Sequence, residues 1–343
     1  MRCHVPNGSA NRRRFAAFGV LELVPRGTVL NAFTNAPGLL PRSIHRVLVP
    51  SALELAPPAP NAERCFTDPP ESAAFPRWAA RLELVFERAG SRTVLVRRRH
   101  QGPLLVQRAF QQQDGSCQAY LVHPPGGVVG GDQLTLQVEV GAGARALLTT
   151  PAAAKLYASA ARTALLTQDC RVADGGLLEL LPQETIVYDG AHAEASTHVL
   201  LADTAQFIGW EVLCLGRDER GFSRGRHVQR WRLNRQGRTL WGERSLIEGG
   251  SPVLQAAWGL AGRPVLGTLI GTNAPPGLAE GLRGTLPESD RDWFAMTQLG
   301  EVLVCRYLGY SAEVAKRNFG AVWARLRWAV SGLRAIPPRI WAL

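Results

Sequence analysis

The segment Gln133-Leu-Thr-Leu-Gln-Val-Glu-Val140 alternates apolar and polar side chains over eight residues. A side-chain period of two puts Leu134, Leu136, Val138 and Val140 on one face of a strand and the polar residues on the other. The same signal recurs on both sides. Upstream, Arg81-Leu-Glu-Leu-Val-Phe-Glu87 alternates apolar and charged residues. Downstream, strands are predicted at Ala144–Thr150, Ala164–Val172, Leu177–Leu181, Thr185–Tyr188, His198–Leu201 and Phe207–Leu215. A hairpin is predicted over Val228–Leu233 and Thr239–Trp241, turning at Arg235-Gln-Gly237. Glycine and proline punctuate these runs every eight to twelve residues. Many short strands with little helix between them predict a mainly β fold and argue against alternating βαβ units.

Two helices are expected near the C-terminus. One starts at Ser311 as N-cap with Glu313 in its first turn. Its apolar stripe is Ala315, Phe319, Val322, Leu326, Ala329 and Leu333, and Gly332 with Pro337-Pro338 ends it. The weaker one spans Pro276–Arg283. Residues 1–76 read differently. They carry eleven of the 23 prolines and no sustained periodicity, and predict a poorly ordered extension or a start assigned too early, ahead of a β-rich domain at 77–343.

The 343 residues are 46% hydrophobic and only 20% charged, enough apolar material for a buried core. No 18-residue apolar run predicts a membrane helix, and Gly19 and Glu22 interrupt the best N-terminal apolar stretch, Phe15 to Val24. Six cysteines, at 3, 65, 117, 170, 214 and 305, form no CxxC pair. That predicts reduced thiols in a cytoplasmic protein and no structural zinc. The net charge is +11, yet the arginines are spread along the chain. The clusters Arg12–Arg14 and Arg97–Arg99 lack interleaved aromatics, so the charge suits an acidic protein partner better than nucleic acid.

The most conspicuous motif is His123-Pro-Pro-Gly-Gly-Val-Val-Gly-Gly-Asp132. It is no P-loop, because Gly131 is followed by Asp132 rather than Lys. It is no dinucleotide loop either, because a strand pattern and not a helix follows it. Gly126, Gly127, Gly130 and Gly131 suit a tight turn or a close approach to another chain segment. Asp132 adds an anion there. Thr149-Thr-Pro-Ala-Ala-Ala-Lys-Leu-Tyr157 holds Lys155, one of only two lysines among 39 basic residues. A specific role and a solvated loop lysine are equally good readings of it. Glu179, Glu184, Asp189, Glu194 and Glu211 form a carboxylate series that His192 or His198 could supplement as metal ligands. Glu211 is the notable one, a lone carboxylate in Phe207-Ile-Gly-Trp-Glu-Val-Leu-Cys-Leu215. It is either outward-facing, paired or functional.

Five segments occur in the order typical of one family. They are His123–Asp132, Thr149–Tyr157, Leu181-Pro-Gln-Glu-Thr-Ile-Val-Tyr188, Trp210-Glu-Val-Leu-Cys-Leu-Gly-Arg217 and Pro337-Pro-Arg-Ile-Trp341. Gly102–Gln107 and Arg306–Gly309 fit as well. From about Trp78 to the end, the sequence resembles the UreD (UreH) family of urease accessory proteins. The resemblance implies a β-helix-like stack of short strands with about two C-terminal helices. It implies a non-enzymatic scaffold that binds urease apoprotein and the F-type accessory protein, and through the latter the G-type GTPase. It implies that Ni2+ is carried transiently, with no permanent cofactor.

Family residues tied to a nickel passage match Asp132, Lys155, Glu211 and Glu243. Asp132, Glu211 and Glu243 are the expected transient contacts. His123, the four glycines, Lys155, Tyr157, Glu184 and Arg217 are expected to serve structure or partner binding. Two positions depart from the family pattern: Ala154 replaces a small hydroxyl residue, and Phe222 stands where a Glu is common. Two rival readings remain at this level. One is a β-helical carbohydrate-active enzyme pairing Asp132 with Glu184 or Asp189. The other is an assembly scaffold with no metal role.

Overall fold

The computed structural model describes residues 78–159, 162–216, 221–284 and 293–342. The predicted extension at 1–76 lies outside the described residues.

The chain passes back and forth between two sheets. The first contains β1 (Ala79–Ala89), β2 (Arg92–Gln101), β5 (Gln133–Val140), β8 (Ala164–Val172), β11 (His192–Leu201), β13 (Arg226–Arg235) and β14 (Arg238–Glu248). Its spatial order is β14-β13-β11-β8-β5-β1-β2. The five inner strands are parallel, and the edges β2 and β14 are antiparallel to their neighbours. The second sheet contains β3 (Leu105–Gln111), β4 (Cys117–Val122), β6 (Arg145–Thr149), β9 (Leu177–Leu180), β12 (Gln206–Leu215), β15 (Val265–Gly271), β16 (Phe294–Leu299) and β17 (Val302–Gly309). Two short strands, β7 (Ala154–Leu156) and β10 (Thr185–Val187), pair with each other, and β10 also pairs with β12.

Successive strands β4, β5, β6, β8, β9, β11, β12 and β13 climb as a β-solenoid-like stack of about four turns, which is the expected β-helix-like architecture. The connections are too short for crossover helices, so each strand lies over its counterpart one coil earlier. Glycines allow the corners to stack. Gly143 and Gly175, both at positive φ, lie on adjacent coils, and the Gly143 N–H donates to the Asp174 carbonyl.

Register turns the alternation into layers. Leu84, Val138, Cys170, Val199 and Leu233 lie side by side across five strands, and Leu82, Leu136, Gln168, Thr197 and Trp231 form the next row. The first row is wholly apolar and sits in the main core with Phe86 and Phe207. The second becomes polar towards its β14 end.

Among the described residues two helices follow near the C-terminus, α1 (Leu278–Arg283) and α2 (Ala312–Ser331). Ser311 caps α2, its hydroxyl accepting from the Val314 N–H at 3.2 Å, and Gly332 closes it at φ 68°. The buried residues are Ala315, Asn318, Phe319, Val322, Trp323, Leu326 and Arg327. Ala329, expected among them, is exposed; the buried face runs instead through Trp323 and Arg327, which dock on Glu179. No helix among the described residues is long and apolar enough to cross a membrane.

Candidate functional site

Between the sheets lies a cavity of about 330 Å3. On the first sheet, β13 lines it with His227, Gln229 and Trp231, β11 with Ala195 and Thr197, and β8 with Gln168. These are inward-facing positions of the layered rows, where polar and small residues replace the aliphatic ones found one row further on. On the second sheet Glu211 and Leu213 of β12 face the same space. The segments 150–156 and 182–183 also border it, where β6 gives way to β7 and β9 to β10.

The polar groups in this cavity are unusual in lacking partners. His227 is 1% exposed and neither ring nitrogen has a hydrogen-bond partner by geometry. Burial pushes its imidazole down to about 4, and a weak side-chain hydrogen-bond interaction with Gln229 opposes the shift. Gln168 Oε1 and His123 Nε2 are likewise buried without partners. Each orphaned group costs about 1–3 kcal/mol unless water or a ligand satisfies it, and this cavity has room for either.

Glu211 alternates with Trp210, so the indole packs outward on Phe319 and Trp323 of α2 while the carboxyl turns inward. Protein encloses the carboxyl, and its remaining accessible surface faces the void. Burial, and then the nearby Glu243 carboxylate, push Glu211 up to about 8; the Trp231 indole and Arg306 oppose this. Glu243 itself is fixed. Arg306 grips it with two bonds of 2.8 and 2.7 Å and donates to Thr268 Oγ1 at 2.7 Å. Register brings these together: Glu211 lies opposite Thr268, Thr268 opposite Arg306, and Trp231 opposite Glu243.

The raised Glu211 gives a sign that can be tested. The folded chain holds this proton between pH 4.5 and about 8, where the unfolded chain has released it. Stability contributed by the group therefore falls as pH rises through that window. Mid-window the slope approaches about 1.4 kcal/mol per pH unit for a fully desolvated carboxyl, and less if water fills the cavity. Glu211→Gln should gain stability relative to wild type as pH rises from 5 to 8, measured by denaturant melts at each pH. A pH-independent difference would remove the carboxyl from the interior.

The glycine motif forms a loop pressed against the segment after β7. Gly126 and Gly131 have φ of 78° and 99°. Gly127 lies on the Tyr157 ring, and a Cβ on Gly130 would come within 1.8 Å of Ser159 Oγ. Val128 bridges Leu156, so the loop is bonded to the chain beside Lys155. The Tyr157 and Tyr188 rings meet at 5.1 Å, tilted by 30°. The Asp132 carboxylate accepts the N–H of Val129 at 3.0 Å and that of Trp78 at 3.4 Å, so it ties the loop and does not line the cavity. His123, Gly126, Gly127 and Lys155 do line it. Burial lowers the His123 pKa, with Asp132 acting in the opposite sense.

Glu184 is held by Lys316 of α2 at 2.6 Å, so the second of the two lysines is a strut. Asp189 accepts the backbone N–H groups of Ser223 and Arg224, both at 2.7 Å. The carboxylates of the carbohydrate-enzyme reading are thus each engaged locally. Arg217 lies outside the described residues. Among the described residues no group of three or more His, Cys, Asp or Glu is gathered to hold a metal ion. The described cysteines are free, and burial pushes the thiols of Cys117 and Cys214 up to about 11 and that of Cys170 to about 12, too high for ready reaction.

The sequence reading missed His227, Gln168 and the buried ion cluster of Asp114, Arg327 and Glu179. His227 was legible in principle, since it shares a strand face with Gln229, Trp231 and the core residue Leu233.

A family model described as "UreD urease accessory protein" matches residues 79–342. The chain is 47% identical over 274 residues to a urease accessory protein UreD of Azoarcus sp. (strain BH72), covering 78% of this chain and 95% of that protein. It is 44% identical over 280 residues to one from Alkalilimnicola ehrlichii, covering 80% and 96%. It is 43% identical over 274 residues to one from Dechloromonas aromatica, covering 78% and 95%. The matched region contains both sheets, the cavity and both helices, and the chain belongs to the UreD family of urease accessory proteins.

Proposed function

We propose that this protein is a non-catalytic scaffold of urease maturation that lets Ni2+ pass through its interior to the urease active site. In this reading it binds urease apoprotein and the F-type accessory protein in the cytoplasm, and receives the ion from the G-type GTPase docked on that partner. The observation that carries the reading is Glu211, an ionisable carboxyl turned into a cavity between two sheets with no cation bonded to it. A carboxyl that shares its proton near neutral pH can take a divalent cation and release it. A passage must bind weakly at more than one point, since a single tight cluster would trap the ion. Lys155 at the cavity wall and the fixed Glu243–Arg306 pair set the local charge. Exposed Trp258, Tyr310 and Trp328, at 62%, 69% and 57%, supply apolar surface for the partners.

The test is co-expression of the full chain with urease apoprotein, the F-type protein and the GTPase. Affinity purification through this chain should recover urease and the F-type protein together. Urease made without this chain should hold little nickel by elemental analysis. Full nickel content in its absence would overturn the reading.

A further inference from the structure

His227 is the most deeply buried polar side chain on the cavity wall after the fully enclosed core, and it has no assigned task. It sits on β13, two inward-facing positions before Trp231, which neighbours Glu211. At a strand rise of about 3.3 Å per residue, that spacing is about 13 Å. Gln229 lies midway, so imidazole, amide and the indole beside the Glu211 carboxyl follow one another along the wall. The His227 side chain is 1% exposed, its ring nitrogens make no hydrogen bond of good geometry, and the adjacent Gln229 side chain is the neighbour that interacts with the ring. Native folds rarely leave such a group unpaired, and the exceptions call for water, an ion or a function.

The donor chemistry separates these options. Glu211 and Gln168 present oxygen to the cavity, and oxygen sites accept Mg2+ and Ca2+ as well as transition metals. Imidazole nitrogen favours Ni2+, Zn2+ and Cu2+ and offers little to Mg2+. Without a nitrogen donor, a carboxyl-lined interior would be occupied by whichever hard cation is in excess. We infer that His227 is a selectivity station for borderline divalent cations inside this protein, giving a nitrogen ligand that admits Ni2+ and disfavours Mg2+ on the way to or from Glu211. The inference rests on the passage proposed above and adds the residue that discriminates among its cargoes.

The test uses the complete complex of this chain with apo-urease and its accessory partners. Ni2+ loading is followed by urease nickel content at limiting Ni2+, with and without excess Mg2+. His227→Leu keeps the volume and removes the ligand; because it also removes an unsatisfied buried group, it should leave assembly intact. The expected result is a loading rate about tenfold lower, the order seen when one metal-directed group is lost, with a further fall in excess Mg2+ that wild type does not show. His227→Gln, which keeps polarity without nitrogen coordination, should behave in the same way. Wild-type loading in both variants, insensitive to Mg2+, would mean that water alone satisfies His227 and would overturn the inference. The Ala195→Trp variant, which fills the same cavity, distinguishes the two failures. If it blocks loading while the His227 variants do not, the passage stands and the station is wrong. If it also loads normally, the passage itself is wrong. Failure of both His227 variants to assemble would make the residue structural and would likewise overturn the inference.

Discussion

Replacing Arg327 with alanine should cost this fold about 3–5 kcal/mol, the largest loss expected of any single substitution outside the aliphatic core. The guanidinium is 2% exposed. Its Nε donates to the Glu179 carboxylate at 3.0 and 3.1 Å, its Nη2 to Asp114 at 2.8 Å, and its Nη1 to the Arg334 carbonyl. Glu179 is 0% exposed and also accepts the Trp323 indole N–H at 2.6 Å. Burial acts to raise the Glu179 pKa while Arg327 and Trp323 act to lower it, and the two carboxylates keep Arg327 protonated. Removing the cation leaves the fully buried Glu179 uncompensated beside the partly buried Asp114.

Lysine should restore little, since one ammonium cannot reach two carboxylates and a carbonyl in the fork geometry. Converting Glu179 to glutamine in the Arg327→Ala background should recover part of the loss by removing a buried charge. The readout is the urea midpoint at constant m value. A shift below about 1 kcal/mol would place the cluster among the weak surface pairs. The consequence reaches the cavity, because this cluster ties α2 to β9, and β9 pairs with β12, the strand that carries Glu211.

Strands that face water on one side were legible in the sequence. β1, β5 and the β13–β14 hairpin announce themselves by alternation, and α2 by its cap, its spacing and its closing glycine. β15 and β17 were not predicted. Val265–Gly271 and Val302–Gly309 are nearly continuous apolar runs, because they are covered on both faces, by the interior and by α2. Such runs carry no period that separates strand from helix. β2 was missed for the opposite reason: its second half, Arg97-Arg-Arg-His100, is exposed on an edge and has no apolar face to read.

Within the site, Glu211 stood out as a charge in an apolar strand, and it does line the cavity. Asp132 stood out through its glycines, and its carboxylate proved to be bonded to backbone N–H groups of its own loop and of Trp78. Arg327 left a faint trace: Phe319, Trp323 and Arg327 follow at spacings of four, so a charge shares the most apolar face of the helix. What no single segment could reveal is which groups face the void without partners. That depends on the register between β8, β11 and β13, and register is a property of pairing rather than of composition.

The central claim is that Ni2+ reaches urease through the space between the two sheets, and filling that space tests it most directly. Ala195 is suited to this. It lies between Leu166 and Gln229 in one row across the first sheet, and its small side chain faces the cavity. A tryptophan there would occupy much of a space of about 330 Å3 without displacing the apolar row that holds the coils together. Overpacking should cost at most about 1–3 kcal/mol, and Ala195→Val serves as a control that keeps the passage open. The measurement is urease nickel content and activity after maturation with Ala195→Trp, alongside co-purification of urease and the accessory partners to confirm assembly. The account predicts an assembled complex and urease nickel reduced to the level seen without this chain, with Ala195→Val near wild type. Full nickel loading by an assembled Ala195→Trp complex would contradict it.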